Sequence, residues 1–282
     1  MSEWIITNRA YNTQNHTVLL VIAHYGSGNR KYFLECLKEY NSYNGYSITA
    51  HLLLTEDIDC SEFSNLNIIK HIYPLSIRYN LTYEYKPIFY YEMGKFDYYV
   101  YTEDDNFITQ QNFDAFISTQ ATLPFPYVCG FLRYEYKEND DYKYLFEAHP
   151  VHSCHRGGTT VIKANYIIND EPYFEVYNIH QSSHILTKGM MDYLRANHAH
   201  YFERICHYVG IAEGAASDVY YDCGLTKVIP RNRASEFIIH HMIDKYVRMW
   251  PNVYTKDTTP DDIKMATLQT DLKPIIVYSQ PK

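Results

Sequence analysis

An uninterrupted apolar segment near the start of the chain, residues 17–23, limits the possible folds more than any other feature of the sequence. Such a run, with no alternation of polar residues, is typical of a β-strand buried on both faces, as in a parallel sheet. A turn with two glycines follows at 25–29. Residues 30–40 then place apolar side chains at the spacing of a helix: Phe33, Cys36, Leu37 and Tyr40. The sequence therefore predicts a strand, a glycine turn and a helix, in that order.

Strands and helices continue to alternate along the first third of the chain. Apolar runs at 48–54, 66–73 and 97–102 predict three more strands. Residues 82–95 predict a helix in which Pro87 lies in the first turn or produces a kink. This alternation indicates an α/β fold with a Rossmann-like, mixed but mostly parallel sheet that is flanked by helices.

The second half of the chain is less regular. Strands are predicted at 126–133, 159–162 and 236–241, and helices at 184–197 and 212–222. No internal repeat, low-complexity tract or linker rich in proline and glycine divides the sequence. We therefore expect one domain that spans residues 1–282.

Composition excludes several classes of protein. The chain has 25 Lys and Arg against 33 Asp and Glu, a formal net charge of −8, which argues against a protein that grips bulk nucleic acid. No apolar run approaches the roughly 18 residues of a transmembrane helix, and the N-terminus lacks the pattern of a signal peptide. The 6 cysteines form no CxxC pair, which is typical of reduced thiols. We expect a cytoplasmic protein, with peripheral association with a membrane left open.

The acidic triplet Glu103, Asp104 and Asp105 is the sharpest chemical feature. It directly follows the fourth predicted strand, and ligand sites in open α/β sheets lie at the carboxyl ends of the strands. Adjacent carboxylates repel each other unless a cation or protons neutralise them. Oxygen ligands suit Mg²⁺ or Mn²⁺, which also bind phosphate oxygens. The triplet therefore indicates a metal that bridges the protein to a diphosphate; a solvated acidic turn is the alternative.

The residues around this triplet resemble a known group of enzymes. The sequence YTEDD at 101–105, preceded by LTYEYKPIF at 81–89, resembles a family of GT-A-type nucleotide-sugar glycosyltransferases known from large algal viruses, algae, fungi and some bacteria. Three later segments also resemble the family: 155–162, 223–230 and 237–241. The similarity extends over about residues 17–245. The triplet occupies the position of the family's DxD motif, although it reads EDD.

The resemblance implies roles for the acidic residues. Asp105 would be the direct ligand of Mn²⁺ or Mg²⁺, Asp104 would lie near the donor ribose or sugar, and Glu103 would also belong to the donor site. A histidine at the end of a late strand can complete such a metal site. His240 and His241 point to opposite faces of their strand, so at most one reaches the metal, and we favour His241.

The resemblance also implies a donor site in the first half of the chain. The loop after the first strand would hold the nucleotide, with Tyr25 stacked on a uracil ring and Gly26 allowing a close approach of the backbone. Asp57 would accept hydrogen bonds from the base, and two cations before the acidic triplet would contact the diphosphate. The full set of expected donor-site residues outside the triplet is His24, Tyr25, Gly26, Asp57, Arg78 and Lys86.

The acceptor side is assigned to the second half. An inverting transfer needs a carboxylate that takes the proton of the acceptor hydroxyl, and Glu213 and Asp218 are the two candidates. Glu213 lies at a predicted junction of loop and helix, whereas Asp218 lies one to two turns further on. By resemblance, the acceptor side is lined by His155, Gly157 and Gly158.

The sequence thus favours a glycosyltransferase that moves a hexosyl or deoxyhexosyl group from a nucleotide-sugar, with UDP favoured, to a glycan or lipid-linked glycan acceptor in polysaccharide synthesis. The nucleotide-binding half would cover about 15–108, the acceptor half about 109–250 and a C-terminal tail about 251–282. A sugar-nucleotidyltransferase, a nucleotide-sugar hydrolase and a non-catalytic glycan-binding module remain as alternatives.

Overall fold

The computed structural model describes residues 15–137, 143–145, 162–203, 210–249 and 275–277. Within these ranges the strands are β1 (His16–His24), β2 (Tyr46–Leu54), β3 (Leu66–Ile72), β4 (Tyr98–Glu103), β5 (Asn106–Phe107), β6 (Tyr127–Cys129), β7 (Leu132–Tyr136), β8 (Lys143–Leu145), β9 (Ile162–Ile168), β10 (Glu171–Val176), β11 (Ser183–Thr187), β12 (Thr226–Pro230), β13 (Ile238–His241) and β14 (Ile275–Val277). The α-helices are α1 (Arg30–Asn41), α2 (Tyr85–Glu92), α3 (Gln110–Gln120), α4 (Lys188–Asn197), α5 (Ile211–Tyr221) and α6 (Lys245–Met249). Three 3-10 segments accompany them: Leu75–Tyr83, Ala199–Phe202 and Arg231–Phe237.

The first sheet has the strand order β11-β4-β1-β2-β3. Its four strands from the first third of the chain are parallel, and β11 joins the edge antiparallel to β4. The order β3-β2-β1-β4 is the one at the centre of doubly wound nucleotide-binding sheets. The predicted α/β class, with a Rossmann-like, mostly parallel sheet flanked by helices, is confirmed.

The core forms around β1, as the apolar run predicted. The last seven residues of β1 are buried, because sheet neighbours and helices cover both faces. α1 packs with the stripe expected from its spacing: Phe33, Cys36, Leu37 and Tyr40 are its buried residues. The helical spacing of the sequence therefore identified the buried face of α1.

Within the described residues, two further sheets are built from strands that follow β4 in the chain. One has the order β14-β9-β10-β12-β6 and the other the order β5-β13-β7-β8. In the latter, β13 pairs with β5 directly after the acidic triplet and runs parallel to β7 on its other side. This pairing carries the late part of the chain back to the carboxyl end of β4. No helix in the described ranges is long and apolar enough to span a bilayer.

Several predicted boundaries were wrong for physical reasons. The helix expected at 184–197 begins only at Lys188, because β11 pairs with β4 up to Thr187, whose side chain then caps the helix. The strand expected at 126–133 is broken into β6 and β7. The helix expected at 82–95 begins at Tyr85, with Pro87 in its first turn.

Other elements were missed or fall elsewhere. α3 and β10 were not predicted, although Thr109 and Asn112 form a capping box at the start of α3. The strand expected at 236–241 is shorter, since its first two residues end a 3-10 segment. Of the strand expected at 159–162, only Ile162 lies within the described residues.

Candidate active site

The carboxyl end of β4 opens onto a cavity of about 530 Å³. Because β1, β2 and β4 are parallel, their carboxyl ends and the loops after them meet at this edge of the sheet. All three residues of the acidic triplet line the cavity. The other lining residues come from the end of β1, the loop after it, the 3-10 segment before α2 and the start of α5: Ala23, Tyr25, Asn29, Arg78, Tyr79, Leu81, Thr82 and Ala212.

Asp104 is held by two side chains from the β1–α1 region. Nδ1 of His24 lies 2.5 Å from Oδ2 of Asp104, and Asn29 donates from Nδ2 to Oδ1 at 3.0 Å. His24 is fully buried and stacks on Phe33, with ring centroids 4.5 Å apart. Burial raises the pKa of Asp104, and the hydrogen bond with His24 opposes that shift. Both oxygens of Asp104 therefore have protein partners, which fix the orientation of this carboxylate.

Asp105 faces His241, and the pairing of β13 with β5 brings the two residues together. His241 lies opposite Asn106 in that pairing, next to Asp105 in sequence. Nε2 of His241 is 3.3 Å from Oδ2 of Asp105, and Nδ1 of His241 is 2.6 Å from Oε1 of Glu135. Glu135 is fully buried in β7, and its other oxygen accepts the N–H of Val247 at 2.7 Å. A carboxylate thus holds one ring nitrogen of His241 and leaves the other aimed at Asp105.

The charged side chains in this group shift one another's pKa values. Burial lowers the pKa of His241, but the carboxylates of Asp105 and Glu135 outweigh burial and raise it to about 9. Burial raises the pKa of Asp105, but His241 and Arg133 outweigh burial and hold it below its usual value. Asp105 and His241 therefore form a buried ion pair with Glu135 behind it.

His240, the other candidate ligand of β13, faces away from Asp105. Its ring stacks on Tyr134 with centroids 4.9 Å apart, and its Nε2 is 3.1 Å from Oδ1 of Asp244. Alternation along the strand therefore gives only His241 access to the acidic triplet.

Glu103 contributes a carboxylate oxygen that lacks a partner. Its Oε1 is buried and makes no hydrogen bond within the described part of the chain. Burial raises the pKa of Glu103 well above its ordinary value, and the charge of Asp105 adds to the shift. The guanidinium of Arg133, which is 1% exposed, opposes it and donates from Nη1 to Oγ of Ser182 at 2.6 Å.

The donor set fits a divalent cation. The site holds four carboxylates, those of the triplet and of Glu135, but only two positive groups, those of Arg133 and His241. Within the described residues, Oε1 of Glu103 has no hydrogen-bond partner. Within the described ranges, no group of three or more His, Cys, Asp and Glu side chains is arranged to hold a metal by itself. A site with one or two protein ligands is typical of Mg²⁺ that is completed by substrate phosphates. Oxygen and imidazole ligands also suit Mn²⁺.

Aromatic and basic side chains also line the cavity, and the loop after β1 contributes some of them. Tyr25 is 45% exposed, and its hydroxyl donates to the carbonyl of Leu75 at 2.9 Å. Gly26 has a φ of +66°, and its N–H donates to Oγ1 of Thr55 at 2.8 Å. Arg78 is exposed and has a φ of 50°, which is rare for a residue with a side chain. Such strained residues cluster at ligand sites.

Of the predicted site residues that do not line the cavity, three form ion pairs that do not involve the acidic triplet. Asp57 is 76% exposed in its side chain and pairs with Lys70 at 2.8 Å. Lys86 and Asp218 are buried and pair with each other, with Nζ 2.6 Å from Oδ2. The two residues were assigned to the diphosphate and to proton transfer, and the tertiary structure brings them together instead.

Glu213 lies at the margin of the cavity. α5 begins at Ile211, so Glu213 is in its first turn, and its neighbour Ala212 lines the cavity. The carboxylate folds back over the start of the helix, since a Cβ added to Gly210 would lie 2.2 Å from Oε2 of Glu213. Gly210 therefore leaves the space that this carboxylate occupies. The expected acceptor residues His155, Gly157 and Gly158 lie outside the described residues.

Sequence reasoning missed several residues of the site: Asn29, Tyr79, Arg133, Glu135 and Ser182. Asn29 lies at the end of the glycine turn, so its role was the easiest of these to infer from the sequence. Arg133 and Glu135 alternate with tyrosines in β7, and two charged residues on one face of a strand were the available signal. The contacts of Ser182 depend on a pairing that no local pattern shows.

No family model matches the sequence, and no curated protein matches it. Among solved structures, the chain is similar to 4-diphosphocytidyl-2C-methyl-D-erythritol synthase from Anaerococcus prevotii, at 12% identity over 92% of this chain and 97% of that chain, with a TM-score of 0.37. It is also similar to S. aureus TarS, at 10% identity over 91% and 67% of the two chains, with a TM-score of 0.38. An active-site mutant of LgtC shows 11% identity over 93% and 88%, with a TM-score of 0.34. Similarities at these TM-scores assign no function to the chain.

Proposed function

We propose that this chain is a metal-dependent glycosyltransferase that moves a sugar from a nucleotide diphosphate sugar to a hydroxyl of a glycan acceptor, with inversion. The observation that carries the proposal is the cavity at the end of β4, which is lined by three consecutive acidic residues together with an exposed arginine and two tyrosines. This pairing of charges suits a cation and a diphosphate in one cavity. UDP is the favoured nucleotide.

Asp105 and His241 would hold Mn²⁺ or Mg²⁺, and the imidazole would give up the proton of its ion pair with Asp105 in order to bind the cation. When bound, the cation neutralises the negative charge that develops on the departing diphosphate. Glu135 keeps the ring of His241 in its orientation, as carboxylates behind metal-binding histidines do. Asp104 is held by His24 and would face the donor ribose or sugar.

The donor would lie in the cavity, in contact with the triplet and with the aromatic and basic side chains that also line it. Tyr25 offers a half-exposed ring for stacking against a base, and Gly26 lets the backbone turn beside it. Arg78 supplies a positive charge for the diphosphate, in addition to the charge of the metal. In this proposal the nucleotide would bind to the half of the chain at about 15–108 and the acceptor to the half at about 109–250.

Glu213 is the better candidate for the general base. It lies at the margin of the cavity, in the first turn of α5, whereas Asp218 is 1% exposed and engaged by Lys86. A base must come within hydrogen-bond reach of the hydroxyl whose proton it takes, and a buried, paired carboxylate cannot do so. Glu213 would thus deprotonate the acceptor hydroxyl as it attacks the anomeric carbon opposite the diphosphate.

Calorimetric titration with UDP and with GDP, each with and without Mn²⁺, tests the proposal. We expect binding that requires the metal, and its loss in Asp105→Ala. Asp192→Ala is the matched control, because Asp192 is an exposed carboxylate on α4 that does not line the cavity. Binding that ignores the metal would contradict the proposal, and the absence of any binding of UDP or GDP would favour a glycan-binding module. Product analysis with UDP-sugars then separates transfer from nucleotidyl transfer and from simple hydrolysis.

A further inference from the structure

We infer that His180 is a positioning residue that joins the acidic end of β4 to the first turns of α5, and so sets the distance between the donor site and the proton-accepting carboxylate. His180 lies in the loop before β11 and is half-buried. The inference rests on the proposed function, because it gives a role to Glu213 in transfer. The connection itself is a property of the structure alone.

On the side of β4, the connection runs through Ser182. The carbonyl of Ser182 accepts the N–H of Glu103 at 3.1 Å and the side-chain amide of Asn106 at 3.4 Å. The hydroxyl of Ser182 accepts from Nη1 of Arg133 at 2.6 Å and lies 2.9 Å from Nε2 of His180. Ser182 therefore connects His180 to the backbone of Glu103 and to the side chain of Asn106, the residues on either side of Asp104 and Asp105.

On the side of α5, the connection runs through two residues one turn apart. Nδ1 of His180 lies 3.4 Å from the hydroxyl of Ser217. The backbone of Glu213, one turn earlier, also raises the pKa of the imidazole against the larger effect of burial. Since Glu213 and Ser217 are four residues apart, both lie on the same face of α5. The ring of His180 thus touches the turn that carries the proposed base.

The local backbone and charges suit such a connection. Ser182 has a φ of 50°, an uncommon conformation for serine that the surrounding hydrogen bonds hold in place. Burial, together with the charges of Arg133 and Lys227, lowers the pKa of His180 well below its usual value. The ring is therefore neutral at pH 7, with one nitrogen that donates and one that accepts. A neutral imidazole can bridge two partners in this way without adding charge beside the acidic triplet.

The consequence is a specific kinetic signature. The cavity that binds the donor does not include His180, so loss of the bridge should leave the binding of UDP and Mn²⁺ unchanged. Displacement of the base by about 1 Å costs on the order of 100-fold in rate. We therefore expect His180→Phe, which keeps a ring and removes both hydrogen bonds, to lower kcat by up to about 100-fold with little change in the donor KM.

Two variants that each keep one of the two contacts of His180 make the test more specific. The polar end of asparagine falls near the position of Nδ1, and that of glutamine near the position of Nε2. His180→Asn should therefore keep the contact with α5, and His180→Gln should keep the contact with Ser182. Each should show a kcat between that of the wild type and that of His180→Phe. His51→Phe is the matched control, because His51 pairs with His71 at 3.0 Å in β2 and β3 and does not line the cavity.

The deciding experiment combines hydrogen–deuterium exchange over 211–217 with kinetics of transfer. Faster exchange in that segment of His180→Phe, with retained binding of UDP and Mn²⁺ and a lower kcat, supports the inference. Unchanged exchange, or loss of the metal-dependent binding together with kcat, overturns it. A wild-type protein that transfers no sugar overturns the proposed function instead, and the exchange data then still report whether the bridge exists.

Discussion

The buried pair of Lys86 and Asp218 gives a quantitative test of how this fold is held together. Their side chains are 3% and 2% exposed, and Nζ lies 2.6 Å from Oδ2. The ammonium also sits over the rings of Tyr201 and Tyr83, at 4.4 Å and 4.8 Å from the centroids. Replacing either partner alone leaves a charge in a site from which water is excluded.

The magnitude follows from the distance and the burial. At 2.6 Å and an effective dielectric constant of about 20, the attraction is about 6 kcal/mol, much of which offsets the loss of hydration. Breaking a buried pair by removing one partner costs about 3–5 kcal/mol. We therefore expect Asp218→Leu and Lys86→Met each to lower the free energy of unfolding by that amount. The double variant should recover most of the loss, because no unpaired charge remains.

Urea unfolding followed by circular dichroism measures these changes, and each single variant should lower the midpoint by about 1 M or more. The coupling free energy comes from the double-mutant cycle. Single variants that cost less than about 1 kcal/mol would refute the reasoning. So would a double variant as unstable as the sum of the two single ones. Kinetics on the recovered double variant then separate stability from catalysis: retained transfer agrees with Glu213 as the base, and lost transfer would return Asp218 to that role.

Three further outcomes are expected. Glu135→Gln should weaken Mn²⁺ binding by about 10- to 100-fold in calorimetry, because the ring of His241 loses the carboxylate that orients it; unchanged affinity would argue against His241 as a ligand. Gly210→Ala should lower transfer but leave UDP binding intact, because the new Cβ would lie 2.2 Å from Oε2 of Glu213. Burial and the charge of Lys86 lower the pKa of His184 from 6.5 to about 3. The neutral ring therefore costs no stability above pH 6.5. As the pH falls from 6.5 towards 3, the free energy of unfolding should decrease by up to about 5 kcal/mol. His184→Phe should flatten that acid limb in unfolding curves, and an identical pH dependence in both proteins would show that His184 is not its source.

Local pattern predicted the elements that are stabilised by neighbours close in sequence. The apolar run of β1 and the buried stripe of α1 followed from spacing alone, since one face of each element must pack against the core. The position of the acidic triplet at the end of a parallel strand followed from the apolar run that directly precedes it. Its opening into a cavity follows from the general geometry of such sheets.

The local sequence pattern predicted the wrong element where pairing with a distant strand determined the secondary structure. Residues 184–187 carry a sequence that also suits a helix, yet they form the edge strand β11 because β4 offers an unpaired edge. A tertiary pairing thus overrode the local preference, which is weak over four residues.

The chain by itself therefore determined the α/β class and the position of the carboxylates, because both depend on periodicity within a few residues. Only the tertiary structure decided which partners these residues have. It joined Lys86 to Asp218 across 132 positions of sequence, and His241 to Glu135 across 106. Such pairs are set by strand register and by the balance of burial against charge. Neither is visible in a single sequence, since each depends on where the rest of the chain packs.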